Sequence, residues 1–156
     1  MRLRTGIRTL VVDPDERIAL VRFDFPHVSV WAAPGGGVEE GEDDAATLAR
    51  ELREELGLEL VEPLGRCVWV RTHIVPMGEW DGQTERYYLL RTRAFAIRPG
   101  LSPEELRDEG VGAVRWWTIE ELEAATDASF APRRLPTLLR ELLRDGPGAE
   151  PLDVGV

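Results

Sequence analysis

The stretch from Gly36 to Leu58, GGVEEGEDDAATLARELREELGL, constrains the fold more than any other part of the chain. Within it Glu51, Glu54 and Glu55 recur at i, i+3 and i+4. An α-helix turns about 100° per residue, so this spacing puts the three carboxylates on one side. Like charges so placed repel, at a cost of about a few tenths of a kcal/mol per pair, and something must offset that cost. A divalent cation is the obvious candidate, because hard cations take carboxylate oxygens. Ala45, Leu48, Ala49, Leu52 and Leu56 recur at i, i+3, i+4, i+7 and i+11 and predict a stripe facing the core. Gly57 reads as a left-handed C-cap. The preceding Pro34-Gly35-Gly36-Gly37 reads as a loop too permissive for regular structure. The stretch thus predicts a buried helix from Asp43 to Leu56 that holds carboxylates beside a glycine loop.

The rest of the chain sets bounds on partners. Its 156 residues suit one domain with a real core, expected over residues 1–146 with a tail over 147–156. The net charge of −10 disfavours passive attraction to nucleic acid or an anionic membrane, so a phosphate substrate needs a cation or local arginines to approach. All 19 basic residues are arginine, a bias that coding composition explains better than so many separate demands for guanidinium. The single Cys67 excludes an internal disulfide and a cysteine zinc site, and it reads as a small buried hydrophobe. His27 and His73 lack ligand spacing. No signal-peptide pattern follows the N-terminal arginines, and no apolar run approaches about 18 residues, so the expectation is a cytoplasmic protein with no membrane contact.

Along the chain, apolar runs at Thr5 to Val12 and Ile18 to Phe23 flank Asp13-Pro14-Asp15-Glu16 and predict two strands joined by a turn. Trp31 to Ala33, Val61 to Thr72, Thr84 to Ile97 and Ala113 to Trp117 predict further strands, although Pro63 and Gly65 interrupt the second of these. Ser102-Pro103-Glu104-Glu105 and Thr118-Ile119-Glu120-Glu121 have capping-box form and predict short helices to Asp108 and Ala125. A last helix is expected over Pro136 to Arg144, and Glu150 to Val156 reads as a loosely held tail. Strands around one central helix with further helices late indicate an α+β fold.

Gly36, five residues, Glu42, seven residues, then Arg50-Glu51-Leu52-Arg53-Glu54-Glu55-Leu56-Gly57-Leu58 resembles the complete box of the Nudix hydrolase family, matching every fixed position over 23 residues. The resemblance implies an α/β/α sandwich with a mixed sheet between helices. It implies a metal-dependent pyrophosphohydrolase, in which water attacks phosphorus in a diphosphate linkage of a small nucleotide or nucleoside diphosphate derivative. Magnesium or manganese would neutralise the diphosphate oxygens and lower the pKa of the attacking water. By position in the box, Glu51, Glu54 and Glu55 resemble the metal ligands, with Gly36 letting the loop backbone come close to the metal. Arg50 resembles the residue that aligns the box carboxylates, and Glu42 a partner of that pair. Which of Glu51, Glu54 or an acid outside the box serves as general base stays open. The rival reading is a Nudix-fold nucleotide sensor or interaction module without catalysis. A homodimer is admitted by analogy with the family alone.

Outside the box two acids qualify. Glu109 lies in Arg107-Asp108-Glu109-Gly110, where similar enzymes bring an acid to the metal; an acidic solvated loop accounts for it equally well. Glu85 lies in a strand whose alternation groups Gln83, Glu85 and Tyr87 on one face and Thr84, Arg86 and Tyr88 on the other. It either faces the site or is a surface glutamate. Glu39, Glu40, Asp43 and Asp44 flank the helix N-terminus, where the helix dipole accounts for them. An aromatic wall is the usual solution for holding a base. Trp31, Phe25 and Tyr87 are the first candidates, ahead of Phe23, His27, Trp69 and Trp80. Arg22, Arg71 and Arg86 qualify as phosphate clamps. Long RNA is disfavoured by the acid balance.

Overall fold

The computed structural model describes every residue from Met1 to Val156. In chain order the elements are β1 (Leu3–Val12), β2 (Ile18–Asp24), β3 (Ser29–Ala32), β4 (Gly35–Gly37), α1 (Asp44–Leu56), β5 (Cys67–His73), β6 (Gly82–Arg91), α2 (Pro103–Asp108), β7 (Val111–Trp117), α3 (Ile119–Ala124), β8 (Phe130–Ala131), α4 (Leu135–Asp145) and β9 (Leu152–Asp153). The strands form one mixed sheet in the order β8-β3-β2-β1-β6-β5-β9, with β4 also on β1 and β7 also on β2. β1 is its spine: it runs parallel to β6 from the Leu3–Gly82 pair to the Val12–Arg91 pair, and antiparallel to β4. Asp13 shapes the turn into β2 by accepting hydrogen bonds from the backbone N–H groups of Asp15 and Arg17 at 3.0 and 2.8 Å.

Strand alternation sends neighbouring side chains to opposite faces, and the two faces are covered differently. Leu10, Ile18 and Leu20 meet α3 and α4 through Leu122, Leu135, Leu138, Leu139 and Leu142. Val11, Ala19 and Leu90 meet Leu52 and Leu56 of α1. The sheet therefore lies between α1 on one side and α3 with α4 on the other, which is the α/β/α sandwich implied by the resemblance.

Asp43 caps α1 by accepting from the Ala46 N–H at 2.8 Å, and Gly57 ends it at φ 70°. A Cβ on Gly57 would also lie 1.9 Å from the Arg98 carbonyl oxygen. The helix is oriented by Leu48, Leu52 and Leu56, all fully buried. Ala45, expected in the core stripe, is exposed, and Ala49 is half-buried, while Thr47 and Glu55 take inward positions. Replacing Leu52 by Ala should cost about 2–5 kcal/mol, read as a lowered denaturant midpoint, because the side chain is wholly enclosed and leaves a cavity.

Four local expectations need correction. The Gly35–Gly37 segment is a strand rather than a loop, because β1 offers it ladder partners. Val61 to Arg66 does not extend; Pro63 and Gly65 delay the strand to Cys67. β6 stops at Arg91, and the chain after it turns to serve the end of α1. There the N–H groups of Arg98, Gly100 and Leu101 reach the carbonyls of Leu56, Arg53 and Glu54 at 3.0, 3.0 and 3.2 Å; Leu56 and Glu54 thereby gain a partner that the helix does not supply, and Arg53 a second one beside the Gly57 N–H. The segment after Glu150 is not loose: Leu152–Asp153 pairs in parallel with β5, and the Val154 N–H reaches the Val70 carbonyl at 2.9 Å. Both capping boxes are closed as their patterns predict. No helix is long and apolar enough to cross a membrane.

Candidate active site

The pairing of β4 with β1 lays the glycine segment directly over the acidic side of α1. A Cβ on Gly36 would lie 2.4 Å from Glu51 Oε1, so only glycine lets backbone and carboxylate approach this closely. One residue earlier, the Gly35 N–H donates to Glu55 Oε1 at 2.9 Å.

Arg50 gathers the cluster. Its Nε and Nη2 donate to the two oxygens of Glu42 at 2.8 and 3.0 Å, its Nη1 to Glu51 Oε1 at 2.8 Å, and its Nη2 to the Gly37 carbonyl at 3.2 Å. Glu54 Oε2 stands 3.7 Å from Nη1. A forked guanidinium is suited to such bidentate work. Glu42 is held down at about 2 by the Arg50 hydrogen bonds, with the Glu39 N–H and the Thr47 hydroxyl also donating to it.

The three helix carboxylates behave in the opposite way. Burial raises Glu51, although Arg50 works against it. Burial raises Glu54, and the charges of Glu109 and Glu39 add to the rise. Glu55, 4% exposed, is pushed up to about 8, first by burial and then by Glu51. Arg50 is largely consumed by Glu42, so the patch keeps an excess of negative charge that a cation would relieve. The donors are all hard oxygens, which suits magnesium or manganese. They do not converge on one point as they stand, since Glu51 is turned to Arg50 and Glu55 to the Gly35 N–H.

Glu109 ends α2 as its C-cap, exposed, and its charge is felt at Glu54. Glu85 is a different case. It is 3% exposed and accepts from Arg8 Nε at 2.7 Å, Arg71 Nη1 at 2.7 Å, Gln83 Nε2 at 3.0 Å and the Tyr87 hydroxyl at 3.4 Å. Burial would raise it, but Arg8 and Arg71 together bring it down to about 2. A carboxylate so enclosed and so paired is held away from solvent, which favours a structural over a catalytic reading of Glu85. Tyr87, at 1% exposure, packs on Trp69 in the core, centroids 5.5 Å apart, which favours packing over substrate contact. Trp31 is half-buried, edge-on to Trp117 at 5.1 Å, and Phe25 stands exposed on the turn before β3.

Glu85 carries a pH prediction. Its folded value of about 2 lies below the ordinary 4.5, so its contribution is complete above 4.5 and is lost as pH falls toward 2. Glu85→Gln should therefore cost about 3–5 kcal/mol at neutral pH, by leaving two buried guanidiniums without their shared counter-ion. It should also flatten the acid limb of stability in that window. Urea melts from pH 7 to pH 2 check both.

Two features were not anticipated. Arg8 holds the glycine segment, its Nη1 donating to the Ala33 and Gly35 carbonyls at 3.2 and 3.1 Å. Only the parallel register of β1 with β6, which sets Gly6 opposite Glu85 and Arg8 opposite Tyr87, could have singled it out. Asp44, assigned above to the helix dipole, is gripped by Arg86 at 2.9 and 2.6 Å and by the Tyr88 hydroxyl, tying the first turn of α1 to β6.

The NUDIX domain model matches residues 2–138. Among curated proteins the chain is similar to an RNA pyrophosphohydrolase of Pelagibacter ubique, 27% identical over 97 residues, covering 57% of this chain and 61% of that one. It is also similar to Nudix hydrolase 25 of Arabidopsis thaliana, 29% identical over 102 residues, covering 58% and 57%. The chain thus spans about six tenths of the length of these two relatives. Among solved structures the ORF135 protein of E. coli has a similar fold, with a TM-score of 0.65 at 23% identity over 96% of both chains.

Proposed function

Since the chain belongs to the NUDIX domain family, we propose that it hydrolyses a phosphoric anhydride, cleaving a diphosphate linkage in a nucleotide-like substrate by attack of water at phosphorus. The observation that carries this reading is the assembly of Gly36, Glu42, Arg50, Glu51, Glu54 and Glu55 into one connected cluster on α1 and β4.

Glu51, Glu54 and Glu55 would hold a divalent cation, magnesium or manganese, after rotation of their side chains. Such an ion supplies neutralisation of the diphosphate oxygens and acidifies water. The remaining work falls to the chain. Arg50 fixes Glu51 and, through the Gly37 carbonyl, the glycine segment. Arg8 and the Gly35 N–H hold that segment against Glu55. Glu54 fits the role of base better than its neighbours. Glu51 is committed to Arg50 and Glu55 to Gly35, while Glu54 is the most exposed of the three at 27% and has the loosest contact with Arg50, at 3.7 Å. In the step, a water oxygen bonds to phosphorus, the bridging P–O bond breaks with its electron pair on the departing phosphate, and the proton passes to Glu54.

The substrate class is a nucleotide bearing a 5′ diphosphate or triphosphate. The relative from Pelagibacter ubique acts, by its name, on RNA, so an RNA 5′ end joins the candidates despite the net charge of −10. The test is hydrolysis of nucleoside triphosphates, nucleotide sugars and 5′-triphosphorylated oligonucleotides in ¹⁸O-labelled water with magnesium. Label in one of the two phosphorus-containing products of at least one substrate is expected. Unlabelled products, or no cleavage across the panel, would overturn the proposal.

A further inference from the structure

Away from the helix carboxylates, Val28 and Val30, Arg71 and His73 at the end of β5, Phe130 of β8, and Arg133 line an open cleft of about 440 Å³. No Asp or Glu side chain lines it, on a chain with a net charge of −10, and the one anionic group there is the α-carboxylate of Val156. Two independent features show an excess of positive charge there. Arg71 is 9% exposed and makes one side-chain hydrogen bond, from Nη1 to Glu85, while its Nε is buried with no partner. Glu85 is shared with Arg8, so one carboxylate faces two guanidiniums. The Arg133 guanidinium enters no ion pair; its backbone N–H donates to an α-carboxylate oxygen of Val156, which leaves the side chain free for a ligand.

His73 lies in the field of both arginines. Burial lowers its pKa, Arg71 and Arg133 lower it further, and only Glu85 opposes them. At neutral pH the ring is therefore uncharged and keeps one N–H to donate. The apolar side of the cleft, Val28, Val30 and Phe130, suits the body of an organic ligand rather than a bare ion. The cleft is also wired to the carboxylate helix. Arg71 binds Glu85, Glu85 binds Arg8, Arg8 binds the Gly35 carbonyl, and the Gly35 N–H binds Glu55.

We propose that this cleft is a second anion subsite, in which Arg71, His73 and Arg133 take a phosphate group carried by the part of the substrate beyond the diphosphate. The assignment rests on reading the helix carboxylates as a hydrolytic site. It narrows the substrate to nucleotides bearing a further phosphate, as a 3′-phosphorylated nucleotide or the first phosphodiester of an oligonucleotide does. Free inorganic phosphate offers the same charge without the organic body.

The test is calorimetric binding of adenosine 3′,5′-bisphosphate, adenosine 5′-monophosphate and inorganic phosphate, none of which contains a diphosphate linkage. The bisphosphate should bind about tenfold or more tightly than the monophosphate, the worth of one charge-assisted phosphate contact. Arg133→Gln should bring that ratio close to one, and Arg133→Lys should restore part of it. Arg71→Gln should do the same as Arg133→Gln, with circular dichroism verifying its fold; Arg133 is exposed, so its variants keep the test independent of folding. Equal binding of the two nucleotides, a ratio unmoved by Arg133→Gln, or no binding of the bisphosphate would overturn the subsite. Inorganic phosphate binding as tightly as the bisphosphate would overturn its assignment to substrate. Absence of turnover on every substrate would instead defeat the hydrolytic reading, and the binding ratio would still decide the cleft.

Discussion

Glu54→Gln is expected to lower kcat by about 10²–10⁴-fold, with KM and thermal midpoint little changed. The substitution keeps the shape of the side chain and removes only its ability to carry a negative charge or take a proton. The structure gives Glu54 no stabilising duty that glutamine would fail: it is not in the buried core, and its one ion pair, to Arg50 at 3.7 Å, is longer than those of Arg50 to Glu42 and Glu51. Its environment raises its pKa by burial and by Glu109, which costs the folded protein something and is useful only if a proton or a cation arrives. Steady-state kinetics across pH, beside a thermal melt, decide the matter. An unchanged kcat in Glu54→Gln would remove Glu54 from the reaction.

Arg50→Ala should damage both fold and reaction. Four hydrogen bonds disappear with the guanidinium, two to Glu42, one to Glu51 and one to the Gly37 carbonyl. With Glu42 and Glu51 left without a counter-ion in a partly buried site, a loss of about 1–3 kcal/mol is expected. The loss in kcat should be larger in consequence than in energy, about 10–100-fold, because Glu51 loses the contact that sets its orientation against Gly36. Arg50→Lys should recover part of the stability and little of the rate, since an ammonium keeps the charge but cannot fork to Glu42 while reaching Glu51. A structural role alone predicts that rate and stability recover together in the lysine variant. A role in placing Glu51 predicts that they separate, and that the magnesium concentration giving half-maximal rate rises in both variants.

Much of this was legible because the informative stretch is local. Helical periodicity and fixed spacing place Arg50, Glu51, Glu54 and Glu55 together without any tertiary knowledge, and the capping residues Ser102, Thr118 and Gly57 act within one turn of their own positions. What escaped depends on register between distant strands. Glu85 finds Arg8 77 positions away and Arg71 14 positions away, and no local pattern distinguishes those arginines among 19. Alternation correctly grouped Gln83, Glu85 and Tyr87 on one face, but it gives direction and not depth; that face proved to be interior. The same limit explains Ala45 and Glu55. Periodicity favours the alanine inside, yet the glycine strand supplies an N–H that only an inward Glu55 can use. Gly35–Gly37 read as a loop because its conformational freedom is real, and tertiary pairing with β1 overrode it.

The central claim is that the helix carboxylates hold a cation for hydrolysis and not for folding. Its most direct test is the rate of phosphate or pyrophosphate release from the best substrate, measured with magnesium, after EDTA, and after magnesium is restored, with the helical circular dichroism signal followed throughout. The account predicts a rate abolished by EDTA and recovered with magnesium while the signal stays constant, because Leu48, Leu52 and Leu56 anchor α1 without help from an ion. Turnover that survives chelation, or a helical signal that collapses with it, would contradict the account.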